Sequence, residues 1–242
     1  MTHTVQGRRV AVTGAASGIG AATARKLIAD GWRVACLDRN VDGANATAGR
    51  RGIAVQIDVA DEASTVAAFA RVRDALGGLD ALVTAAGVIE TVPFLDTTVE
   101  QFRRLFDINV IGSFLSVREG AKLMQPGSRI CMVASISSYT GGGYVATGSY
   151  ATSKGAVLTM MKSCARALGG KGIAVNAVAP GFIDTPFVAS AMSDPERRKD
   201  VVAAVGKVGT AEQIAECCAC RHGSVGDSMF SKFVSTVRCV AV

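Results

Sequence analysis

Tyr150 and Lys154 stand four positions apart in the segment Ser149-Tyr150-Ala151-Thr152-Ser153-Lys154-Gly155-Ala156-Val157. On a helix that spacing places a phenol and an ammonium on one face. A phenol gives up its proton at about pH 10, so it is a poor base at neutral pH unless a nearby cation stabilises the phenolate. Lys154 is placed to supply that cation and to lower the Tyr150 pKa. Tyr-x-x-x-Lys also arises on solvated helices that do no chemistry, so the rest of the chain must decide.

Near the N-terminus, Arg9-Val10-Ala11-Val12-Thr13 reads as a short buried strand. It runs through Gly14-Ala15-Ala16-Ser17-Gly18-Ile19-Gly20 into an amphipathic stretch from Ala21 to Asp30. Glycines permit a tight turn and a close backbone approach, and a helix N-terminus offers free amide hydrogens and partial positive charge to a pyrophosphate. The spacing is Gly-x-x-x-Gly-x-Gly, not the commoner Gly-x-Gly-x-x-Gly. The next strand, Arg33 to Leu37, ends at Asp38, where a carboxylate would meet an adenosine ribose.

Thr13-Gly14-Ala15-Ala16-Ser17-Gly18-Ile19-Gly20, Asp58-Val59, Ala85-Ala86-Gly87, Asn109, Ser135, Tyr150 with Lys154, and Pro180-Gly181 follow one another in the order of a known family. Over residues 7–216 the chain resembles the short-chain dehydrogenases/reductases. The resemblance implies an NAD(P)-dependent oxidoreductase that moves a hydride between a nicotinamide cofactor and a secondary alcohol or ketone. It implies Tyr150 as general acid and base, Lys154 as its electrostatic partner and a ligand of the nicotinamide ribose, and Ser135 as donor to the substrate oxygen. Asn109, expected in mid-helix, would hold a water that joins the lysine to solvent. Gly14, Ser17, Gly18, Ile19 and Gly20 would cradle the phosphates. Asp38 and Arg39 would meet the adenosine ribose, Asp58 and Val59 the adenine, and Ala86 and Gly87 its ribose side. Ile183 and Thr185, after Pro180 and Gly181, would meet the carboxamide and phosphates. Members of the family associate through their last strand, which implies a homo-oligomer, dimer or tetramer. Thr84 stands where the family usually carries asparagine, which removes one expected structural hydrogen bond.

Alternating strands and helices predict an α/β fold: a Rossmann-type doubly wound parallel sheet of about seven strands with helices on both faces. Strands are expected at 9–13, 33–37, 53–57, 79–83, 129–134 and 173–178, and helices at 42–51, 62–76, within 98–124, and at 149–168. A chain of 242 residues with 49% hydrophobic content can form one such domain over residues 1–242. No secretory leader or membrane-spanning run is read, which gives a cytoplasmic expectation. The net charge of +6 is scattered among acids, so no nucleic-acid surface is expected. The 7 cysteines are expected as free thiols. Cys217, Cys218, Cys220 and His222 lack the spacing of a zinc site, and no metal is expected. With only His3 and His222, a Ser-His-Asp hydrolase has no well-placed imidazole.

Three choices stay open at this stage. Ser135 is preferred as the substrate-binding serine because it emerges at the end of its strand, although Ser137 has the commoner interval to Tyr150. Ser137 and Ser138 otherwise read as solvated turn residues, with Gly141 to Gly143 as a pocket edge. NAD is favoured over NADP, because Asp38 would repel an added phosphate and Ser17 leaves the turn without a basic residue, while Arg39 argues the other way. Residues 217–242 depart from the family pattern, with only a faint outline of a last strand at 233–237. The alternative to an enzyme is therefore a cofactor-binding protein of structural or regulatory role. An apolar pocket wall is expected from Val88, Ile89, Tyr144 and the segment from Phe187 to Met192.

Overall fold

Apolar residues at consecutive positions suit a strand covered on both faces. In the computed structural model the Val-Ala-Val run accordingly becomes β1 (Arg9–Thr13), buried from Val10 onward. The structure describes residues 7–143, 146–189, 195–205 and 208–220. After β1 come α1 (Gly18–Ala29), β2 (Arg33–Asp38), α2 (Val41–Ala48), β3 (Ile53–Gln56), α3 (Glu62–Leu76) and β4 (Leu79–Thr84). Then follow α4 (Val99–Phe106), a π turn (Asp107–Ile111), α5 (Gly112–Ala121), β5 (Met124–Val133), α6 (Ser137–Thr140), α7 (Gly148–Gly169) and β6 (Ala174–Val178). The described chain closes with β7 (Ile183–Asp184), α8 (Pro186–Ala189), α9 (Pro195–Val205), β8 (Gly209–Thr210) and α10 (Ala211–Cys220).

The main sheet has six strands in the order β3-β2-β1-β4-β5-β6. All of its pairings are parallel. The seventh strand, expected at 233–237, lies outside the described residues. Alternation along β1 sends Val10 and Val12 to one face and Ala11 to the other. Val10 and Val12 join Leu27, Ala44 and Ile214 beneath α1, α2 and α10. Ala11 joins Phe69, Val117 and Val157 beneath α3, α5 and α7. Chain order reverses between β1 and β4, and in such sheets a crevice opens at the carboxyl ends of the strands at that point.

Local chemistry explains where elements stop. Asp61 accepts a 2.6 Å hydrogen bond from the Ser64 amide at the start of α3, and Gly77 ends that helix at φ 76°. Thr98 and Gln101 form a reciprocal capping box on α4. Two differences from the sequence expectations concern the site. The long helix expected within 98–124 is interrupted by the π turn, and Asn109 sits in it. β5 begins earlier than residue 129: Met124 pairs with Leu79, and a register shift then follows before Ala81 meets Arg129. The short parallel pair β7 and β8, joined at Ile183–Gly209 and Asp184–Thr210, was not anticipated.

Candidate active site

A cleft of about 970 Å³ opens at the carboxyl ends of the strands. At one end lies the turn between β1 and α1. Gly14 has φ 71°, and a Cβ there would lie 2.7 Å from the Ala86 amide nitrogen. A Cβ on Gly20 would run into the Gly14 carbonyl oxygen. The turn therefore excludes side chains and brings backbone to the cleft. Ser17 precedes α1 without capping it by its side chain, so the first-turn amides of Gly18, Ile19 and Gly20 have no intrahelical partner. Asp38, at the end of β2, braces the turn: one carboxylate oxygen accepts from the Ala16 amide at 3.0 Å and the other from the Asn40 amide at 2.9 Å. Each oxygen keeps a further lone pair for a ligand. Asp58 accepts from the Ala60 amide at 3.0 Å, and Val59 beside it is buried.

The turn is tied to the loop after β4. The Ala86 amide donates to the Thr13 hydroxyl at 3.3 Å and the Ala85 amide to the Thr13 carbonyl at 3.3 Å. A Cβ on Gly87 would lie 3.1 Å from Asn109 Oδ1 and 3.4 Å from Lys154 Nζ, so glycine keeps this wall thin. Thr84, just before the loop, has a buried hydroxyl with no hydrogen-bond partner.

Tyr150 and Lys154 both line the cleft from α7, at 6% and 4% exposure. Ser135 lines the same cleft and acts to lower the Tyr150 pKa. The Ser137 amide donates to Ser135 Oγ at 3.2 Å, which fixes that hydroxyl at the end of β5. Lys154 Nζ lies 5.9 Å from the centre of the Tyr150 ring and donates to the Val133 carbonyl at 2.9 Å. Burial pushes the Tyr150 phenol up to about 12, with Ser135 acting against it. Burial likewise brings the Lys154 ammonium down to about 8. The lowering of Tyr150 expected from Lys154 is thus absent here, because desolvation acts on both groups and the ammonium is directed at a backbone carbonyl.

Of the residues read from sequence, Gly14, Ser17 through Gly20, Asp38, Arg39, Asp58, Val59, Ala86, Gly87, Ser135, Tyr150, Lys154, Pro180, Gly181, Ile183 and Thr185 line one cleft. Asn109 does not line it. Its side chain is fully buried: Oδ1 accepts from the Val88 amide at 2.8 Å, and Nδ2 donates to the Val88 carbonyl and to Ser153 Oγ, both at 3.0 Å. Its carbonyl accepts from Ser113 Oγ at 2.7 Å. Ser137 and Ser138 are also corrected. They begin the short helix α6, Ser137 is 7% exposed and lines the cleft, and the Ser138 hydroxyl is buried without a partner. A serine in a tight turn right after a buried strand is pressed against the sheet end, which composition alone does not reveal.

Ser153 was missed by sequence reasoning. It is fully buried, donates to the Tyr150 carbonyl at 2.7 Å and accepts from Asn109, so it ties α7 to the π turn and to Val88. The available signal was its place one residue before Lys154, on the buried side of the helix. Among the apolar wall residues, Val88, Ile89, Phe187 and Val188 line the cleft, joined by the unforeseen Phe182 and Val201. Ala189 is exposed instead, and Tyr144 and residues 190–192 lie outside the described residues. Cys218 packs in the core with its sulfur 3.8 Å from that of Cys131. Among the described residues no helix is long and apolar enough to cross a membrane, and no cluster of metal-ligating side chains occurs.

The residues present fit the nicotinamide dinucleotide that the resemblance implies. Backbone amides and a helix N-terminus would meet its phosphates, the Asp38 carboxylate could accept from a ribose hydroxyl, and Gly14, Gly20 and Gly87 leave room where a Cβ would intrude.

Comparison with known proteins agrees with this geometry. A family model described as enoyl-(acyl carrier protein) reductase matches residues 14–220. The chain is 39% identical to 2-(R)-hydroxypropyl-CoM dehydrogenase of Xanthobacter autotrophicus, over 85% of this chain and 87% of that protein. It is 34% identical to sorbitol dehydrogenase of Cereibacter sphaeroides, over 87% and 88% of the two chains. A crystal structure of a short-chain dehydrogenase from Burkholderia cenocepacia in complex with NADP superposes with a TM-score of 0.82 at 33% identity, covering 92% of this chain and 93% of that one.

Proposed function

The chain belongs to the short-chain dehydrogenase/reductase family, and from that premise we propose that it is an oxidoreductase that interconverts a secondary alcohol and its ketone. The observation that carries this reading is that Tyr150, Ser135 and Lys154 line the same cleft as the glycine turn. Bound in that cleft, the nicotinamide cofactor would supply the hydride acceptor or donor. Tyr150 takes the proton from the substrate hydroxyl in oxidation and returns it to the developing alkoxide in reduction. Ser135 donates to the same oxygen and stabilises its charge. Lys154 favours the phenolate whenever it is charged. The raised Tyr150 pKa keeps the phenol protonated at neutral pH, the form that reduction needs, whereas oxidation should accelerate as pH rises. Asn109 and Ser153 act at one remove, by fixing Val88 and the turn of α7 that bears Tyr150.

NAD is the preferred cofactor in this proposal. Asp38 can accept from ribose hydroxyls, and an added phosphate beside it would meet like charge. Arg39, which also lines the cleft, is the feature that would favour NADP. Calorimetric titration with NADH and NADPH, followed by oxidation of a panel of secondary alcohols, tests both parts. Tighter binding of NADH together with turnover is the expected result. Binding without turnover of any alcohol or ketone would favour the non-catalytic alternative, and tighter NADPH binding would reverse the cofactor assignment.

A further inference from the structure

We propose, on the reading that the cleft handles a secondary alcohol or ketone, that its substrate is uncharged: a compact apolar body with the reacting oxygen as its main polar group. The charged side chains that line the cleft are Asp38, Arg39, Asp58 and Lys154 among the described residues. Asp38, Arg39 and Asp58 follow β2 and β3, at the end opposite Tyr150. The ammonium of Lys154 is bound to the Val133 carbonyl at 2.9 Å.

Around the Tyr150 ring the described part of the wall is apolar. Ile89 packs both with Tyr150 and Phe187 and with Phe182, Val188 and Val201. The Phe187 ring centre lies 6.1 Å from that of Tyr150. Glu90 follows Ile89 in sequence but turns its carboxylate onto its own loop, accepting from the Thr91 amide at 2.9 Å and the Val92 amide at 3.3 Å. Besides Tyr150, the hydroxyls on this side among the described residues belong to Ser135, Ser137 and Thr140, and Thr140 donates to the Gly142 carbonyl at 2.5 Å. A carboxylate, sulfonate or phosphate on the substrate would surrender its hydration here and, apart from a Lys154 ammonium already held by the Val133 carbonyl, gain only neutral donors among the described residues, which is costly for a full charge. A carbonyl oxygen needs only the Tyr150 and Ser135 hydroxyls.

The test is a matched pair of ketones, 4-methylcyclohexanone and 4-oxocyclohexanecarboxylate, titrated calorimetrically into the wild-type protein with saturating NAD+, where neither can be reduced. The methyl ketone should bind at least about tenfold more tightly. Equal or tighter binding of the carboxylate, or binding of neither ketone at about 10 mM, overturns the proposal. Val188→Arg places a cation in the wall and should raise the affinity for the carboxylate by about tenfold, and an unchanged affinity would also count against it. Turnover is read separately. A preference for the neutral ketone without oxidation of NADH or NADPH would leave the charge inference standing and defeat the oxidoreductase reading.

Discussion

At the glycine-turn end of the cleft the groups that face a ligand are backbone amides and carboxylates whose bracing bonds are already made, such as Asp38 to Ala16 and Asn40. At the Tyr150 end they are side-chain hydroxyls and an ammonium, buried among Ile89, Phe182, Phe187 and Val188. The first end is a shape, intolerant of added atoms and indifferent to most side-chain chemistry. The second is a set of titratable groups held where water is scarce, so its properties depend on single hydroxyls and on pH. Binding and chemistry should therefore be separable by mutation.

Gly20→Val should have the largest effect at the first end, because its Cβ collides with the Gly14 carbonyl. Calorimetry should show NADH affinity reduced by about 100-fold or more, equivalent to about 2.7 kcal/mol. Near-normal affinity would mean that the turn has more room than its packing indicates. Asp38→Ala should reduce the preference for NADH over NADPH by about tenfold, since a hydrogen bond to a charged group contributes about 1.5–3 kcal/mol. Paired titrations would show this, and an unchanged ratio would transfer the selectivity to Arg39.

At the second end, Ser153→Ala removes the acceptor of Asn109 Nδ2 and the donor to the Tyr150 carbonyl. Leaving a buried donor unmet costs about 1–3 kcal/mol, so denaturant unfolding should show a loss in that range. Turnover should fall by a few fold to about tenfold with KM for the cofactor unchanged. An equal rise in KM would make Ser153 part of the binding end.

Stability should also depend on pH. Lys154 has a folded pKa of about 8, below its ordinary 10.5, so its contribution to stability is present above 10.5 and is lost as pH falls towards 8. Tyr150, raised from 10 to about 12, contributes stability that is complete below 10 and is lost as pH rises towards 12. Tm should hence rise between pH 8 and 10 in the wild type relative to Lys154→Met, which lacks the titrating group. Parallel profiles for the two proteins would show that Lys154 is better solvated than its burial implies.

The glycine-turn end was the more legible in sequence, for physical reasons. β1 and α3 fall at the predicted residues because consecutive apolar residues define the strand and Asp61 with Gly77 punctuates the helix. Gly14, Gly20 and Asp38 act through backbone geometry and charge, which a local pattern reveals. The Tyr150 end depends on long-range packing. Nothing local to Asn109 announces a π turn, or that its amide is spent on Val88 and Ser153. The burial of Ser137, the contribution of Val201 and the early start of β5 likewise come from elements distant in sequence. The pair Tyr150 and Lys154 was visible as spacing, but the direction of their pKa shifts was not, because it follows from burial.

A single-turnover comparison of wild type and Tyr150→Phe tests the central claim most directly. Each protein is saturated with NADH and mixed with a neutral ketone, and cofactor oxidation is followed. The account predicts NADH affinities within about twofold of each other and a rate of cofactor oxidation lower in Tyr150→Phe by about 100- to 10,000-fold, the usual contribution of a positioned acid. Oxidation of NADH by Tyr150→Phe at the wild-type rate would contradict the assignment of proton transfer to Tyr150.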